Sequence, residues 1–128
     1  MSFANYLENK VLDHVFGGTS YSAPGTIYAA LFTATPGEGD TGTEISTSGS
    51  AYGRQTIAFT VSGNSATNTS AVEWSQATSN WGTITHVGIY DASTSGNLMA
   101  YAALTASKTV NNGDVIRINA SQLTITLD

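Results

Sequence analysis

The spacing of apolar residues changes character along the chain. Near the start, Phe3, Leu7, Val11 and Val15 recur every fourth position, and Ala4, Leu12 and Phe16 widen the stripe. That period predicts an amphipathic helix over residues 2–16. Ser2 is its expected cap and Gly17-Gly18 its stop, because glycine accepts the left-handed geometry of a helix end. A helix of about 15 residues is marginal alone in water, so the stripe is expected to dock on the sheet or on another chain.

Beyond it the period shortens. Residues 26–34, TIYAALFTA, are apolar on both alternating faces, as in a strand buried from both sides, and Thr35-Pro36-Gly37 stop it. Residues 54–61 alternate, predicting a half-exposed strand, and residues 66–74 read as a polar strand whose apolar weight arrives at Val72 and Trp74. The centre of the chain is residues 81–104, WGTITHVGIYDASTSGNLMAYAAL. Ile84, Val87, Ile89 and Tyr90 crowd one arm without clean alternation, residues 91–97 are almost all turn formers, and residues 98–104 alternate again. This is a hairpin whose first arm belongs in the middle of a sheet. Gly88 inside that arm marks a close approach by another group. Asn111-Asn112-Gly113-Asp114 predicts a tight turn, followed by strands at 115–119 and 123–127.

One helix and about seven strands on short turns, with no helical crossover, predict an all-β fold, mainly an antiparallel β-sandwich or jelly-roll-like, with one N-terminal α-helix. A single domain over 1–128 is expected, with the helix and its cap at 1–18 and the sandwich at 26–128. Residues 37–53 stand apart, rich in Gly, Ser and Thr, with Ile45 as the apolar residue the stretch offers. So long a connection is expected to be mobile or ordered by a partner.

Composition narrows the function. Charged residues make up 10% of the chain and the net charge is −5, with Lys10, Arg54, Lys108 and Arg117 as the cations. They cannot build the basic stripe that phosphate neutralisation needs, so nucleic acid is not an expected partner. There are no cysteines, which removes disulfides and thiolate metal sites. Glu8, Lys10 and Asp13 interrupt the N-terminal apolar stretch, which therefore resembles neither a secretory leader nor a bilayer span, and no membrane partner is expected.

Candidate chemistry is sparse. His86 and Asp91 invite comparison with a base and its orienting acid, yet no G-x-S-x-G elbow or H-E-x-x-H motif accompanies them. His86 reads as a structural or interface histidine, and no catalytic or cofactor-binding residue is assigned. Glu38, Asp40 and Glu44 offer hard oxygen ligands on a glycine-rich loop, a weak candidate for a divalent ion, although E-G-D-T-G-T-E departs from the calcium-loop pattern. Trp74 and Trp81, with Tyr90 and Tyr101, suggest a sugar-stacking platform, but aromatics near strand ends more often anchor cores or interfaces. The interface candidates are accordingly Phe3, Leu7, Val11, Val15, Ile45, Trp74, Trp81 and Tyr101.

The opening SFANYLENKVLDHVFGG, the strand TIYAALFTATP, the segment WGTITHVGIYDASTSGNLMAYAAL and the closing LTITLD together resemble a family of small virion proteins of tailed bacteriophages, commonly labelled tail fibre proteins. The resemblance covers nearly the whole chain. It implies a non-enzymatic structural role in the virion, made in the host cytoplasm, with major capsid or tail proteins as partners and a homo-oligomer as the expected state. The chain shows no shaft repeat. A capsid decoration or cement protein, bound across capsid subunits in many copies, is therefore the first expectation. A tail or tail-fibre component that contributes to glycan recognition on the host surface is the alternative.

Overall fold

The computed structural model describes residues 1–127. Its largest element is a six-stranded antiparallel sheet built on the expected hairpin. Strand β8 (Gly82–Tyr90) lies between β9 (Leu98–Val110) and β2 (Ile27–Ala34). The short β1 (Ser2–Phe3) edges β9, while β3 (Thr43–Glu44) and β4 (Gln55–Ile57) both pair with β2. Three further strands, β5 (Phe59–Ser62), β6 (Ser65–Asn68) and β11 (Thr124–Thr126), form one small sheet. A pair of two-residue strands, β7 (Val72–Glu73) and β10 (Arg117–Ile118), forms another. The chain is thus mainly antiparallel β structure with one short helix, α1 (Asn5–Val15), near its start.

Both faces of the large sheet are covered, which explains why β2 and the first hairpin arm lack polar alternation. On one face Leu31, Ile84, Val87 and Ile89 join Val72, Trp74, Ile116, Ile118 and Leu123 from the short strands and their flanks in a single core. On the other face Ala30, Phe32, Tyr90 and Leu98 pack beneath Ala4. Gly88 sits there for a steric reason. A Cβ on it would lie 2.8 Å from Phe32 Cε2 and 2.9 Å from Leu98 Cδ1.

Several expectations are corrected. Ser2 does not cap the helix; it pairs with Tyr101 in β1, and Ala4 takes the cap position without a side-chain acceptor. Main-chain bonds fix this entry instead, from Ala4 N to Met99 O at 2.8 Å and from Asn5 N to Glu38 O at 3.0 Å. The helix ends as expected at the two glycines, where Gly18 has φ +72°. Residues 54–61 are two strands, since the chain leaves the large sheet after Ile57 and joins the small one at Phe59. Residues 66–74 also divide. The last residue of β6, Asn68, is fully buried, and its side chain accepts from Leu123 N and donates to the carbonyls of Ser70 and Asn119. A buried amide needs all these partners, so the chain must turn around it.

The stretch 37–53, expected to be mobile or ordered by a partner, is held by its own chain. Tyr52 is buried, accepts a hydrogen bond from Leu31 N at 3.0 Å, and donates one to Glu44 Oε2 at 2.7 Å. Its ring meets Trp81 edge-on at 5.4 Å, and the Trp81 indole N–H donates to Ser50 O at 2.8 Å. Ile45 enters the core beside them and its N–H donates to Leu31 O.

Candidate functional site

The side chains nominated from sequence separate into buried and exposed groups. Trp74 and Trp81 are 1% and 6% exposed, and Ile45 is also buried, so none of the three presents a surface to a sugar or to a partner. Tyr90 is buried and Tyr101 half-buried against the same cluster. His86 donates or accepts at Thr85 Oγ1 across 2.8 Å. Asp91 directs both carboxylate oxygens to Asn97, accepting from its main-chain N–H at 2.7 Å and its side-chain amide at 3.0 Å. It closes the hairpin turn, so the imagined His86–Asp91 pair has no shared geometry.

The three acidic residues of the glycine-rich stretch are likewise engaged apart. Glu44 grips Arg54 through two bonds, Nη2 to Oε1 at 2.8 Å and Nε to Oε2 at 2.9 Å. Asp40 accepts the Tyr90 hydroxyl, and Glu38 offers its main-chain carbonyl to the helix start. Among the described residues no group of three or more His, Cys, Asp or Glu side chains could hold a metal ion. Glu44 and Asp40 thus commit their carboxylates to Arg54 and Tyr90 and do not converge with Glu38 on one point.

Arg54 is the residue that sequence reading missed. It sits at the end of an ordinary alternating strand, and nothing in the local pattern distinguishes it. Besides gripping Glu44, its Nη1 donates to the carbonyls of Ala92 at 2.9 Å and Ser95 at 2.7 Å, and its guanidinium stacks 3.6 Å from the Tyr90 ring centre. Burial alone would lower its pKa, but the hydrogen bonds and charge of Glu44 hold the group above its ordinary value. One buried cation thus fastens the 37–53 stretch to the 91–97 turn.

Val61, Val115 and Leu127 are exposed singly, whereas three exposed apolar residues cluster at the C-terminal end of α1 and its cap. Leu7 and Val11 are half-buried, whereas Leu12, Val15 and Phe16 are 56%, 61% and 82% exposed. The stripe therefore docks on its own sheet only through its first half. Its exposed side borders an open groove of about 550 Å³, shared by Met1, Phe3, Val11, Leu12 and Leu127. Leu127 is itself half-exposed. With Glu8 and Glu38 also lining the groove, the arrangement offers mainly apolar contact area edged by acidic residues, as suits protein association.

Comparison with known families agrees with that character. The family described as podophage GP4 fiber I protein gp80 matches residues 2–126, almost the entire chain. The chain belongs to this family. It is thereby a phage virion structural protein of a family labelled fibre. No curated protein matches it. The match takes in the opening helix, β2 and the central hairpin, the segments that carry the resemblance.

Proposed function

We infer that the chain is a compact, non-enzymatic module of a podophage tail fibre, seated against a neighbouring virion subunit by the exposed end of α1. The observation that carries this reading is the fibre-family match over residues 2–126, which spans every element of the fold. The apolar end of α1 supplies the physical complement. Leu12, Val15 and Phe16 lie in adjacent turns and are uncovered by their own chain, and apolar area of that kind is stabilised by association.

Capsid decoration, the first expectation from sequence, rests on compactness and the absence of a shaft repeat. A globular module within a fibre satisfies both. The glycan-recognition alternative loses its two tryptophans, which lie in the core. Seating the protein in the fibre also accounts for its partners, other virion proteins. Gold-labelled antibody raised against the chain is the test on intact particles. Label confined to the tail end supports the fibre reading, whereas label distributed over the capsid surface would replace it with decoration.

A further inference from the structure

A second surface is defined by an irregularity in β9. Its pairing with β8 slips from His86–Ala103 to Ile84–Lys108, so the four residues 104–107 lie opposite Thr85 alone. One residue cannot satisfy the main chain of four, and β1 reaches β9 only at Ala100 and Tyr101. Thr105, Ala106 and Ser107 in this bulge are exposed, and among the described residues no strand is paired with residues 104–107.

Across from the bulge runs β10. Trp74 N donates to Ile116 O, and Arg117 stands opposite Glu73, a register in which Ile116 and Ile118 face β7 while the N–H and C=O of Arg117 face away from it. Arg117 lines a groove between β10 and the bulge, which has a volume of about 300 Å³. Its floor is apolar, from Leu104, Ile116, Ile118 and Leu123, and its rim carries Lys108 and Arg117.

The charges on that rim are distinctive. Of the four cations, Arg54 is locked to Glu44 and Lys10 lies over the Tyr6 ring at 5.7 Å. The remaining two both line this groove. Among the described residues Lys108 has no carboxylate partner, and Arg117 meets Glu73 only at 3.7 Å with both side chains more than half exposed. On a chain of net charge −5 this groove brings two of the four side-chain cations together.

We propose that the groove between the β9 bulge and β10 binds an extended, acidic segment of a neighbouring virion protein by strand addition. The outward main-chain groups of Arg117 and the exposed bulge residues pair with the segment's backbone, the apolar floor takes one alternate side chain, and Lys108 and Arg117 take a carboxylate. The assignment rests on the reading of the chain as a virion component with protein partners. It adds the chemistry of the partner and a surface separate from α1.

The test uses the full chain against a displayed pool of random eight-residue peptides. Enriched sequences should carry Asp or Glu at a fixed position within a β-forming context. A synthetic enriched peptide should shift the amide resonances of residues 103–108 and 116–119. N-methylation of its alternate backbone nitrogens should abolish binding, and the double charge reversal K108E/R117E should weaken it at least ten-fold, with K10E as the unaffected control. The proposal is overturned by absence of enrichment, by enriched peptides lacking acidic residues, or by binding that K108E/R117E leaves intact. It is equally overturned if the chain instead binds an acidic glycan that K108E/R117E releases. Failure of these peptide assays leaves the antibody-labelling result on particles unaffected, so the two readings fail separately.

Discussion

Arg54 has the most concentrated role of any side chain in the fold, serving Glu44, two hairpin-turn carbonyls and the Tyr90 ring at once. Arg54→Ala should destabilise the chain by about 2–4 kcal/mol, somewhat less than for a fully buried pair because the Glu44 side chain keeps 25% exposure. Chemical denaturation checks this. In Arg54→Ala/Glu44→Ala the loss should be smaller than the sum of the single losses, since the second change removes the orphaned charge. Gly88→Ala should cost about 1–3 kcal/mol by forcing Phe32 and Leu98 apart in a filled core. Tyr52 and Tyr90 define an alkaline limit. Burial, reinforced by Glu44 at Tyr52 and by Asp40 at Tyr90, raises both phenols above their ordinary value of 10.0. The unfolded chain releases these protons near pH 10 while the folded chain retains them, so stability is full below about pH 10 and falls as pH rises beyond it. Tyr52→Phe should lower stability at neutral pH, through its lost bonds to Leu31 and Glu44, yet flatten the decline in denaturation midpoint between pH 9 and 11.

At the scale of elements, periodicity captured what local pattern can encode. The helix, β2 and the central hairpin were legible because each is long enough for its burial pattern to repeat, and Gly88 was legible as a glycine inside an apolar strand. The division of 54–61 and of 66–74 was not, because a strand that moves between sheets keeps its alternation and changes only its partner. Asn68 and Arg54 were invisible for a related reason. Their partners, such as Leu123 for one and Ala92 for the other, are distant in sequence. The 37–53 stretch misled because its Gly, Ser and Thr content masked one anchoring side chain, Tyr52. Helix α1 bears directly on function. Replacing Leu12, Val15 and Phe16 together by Ser should leave the thermal midpoint within a few degrees, since surface positions away from the core change stability little, while particles assembled with this variant should lack the protein on immunoblots.

On the scale of the whole molecule, one large sheet covered on both faces carries two outward surfaces. One is the apolar end of α1, and the other is the cationic groove beside the β9 bulge. A module with two such surfaces can link neighbours without being a shaft, which reconciles a fibre family with a chain lacking any fibre repeat. The most direct measurement is a reconstruction of the intact particle, compared with one assembled without this protein. The account predicts that the difference density lies in the tail fibre, with the Leu12, Val15 and Phe16 end of α1 covered by a neighbouring subunit. Density on the capsid, or in the fibre with that end of α1 facing solvent, would contradict it.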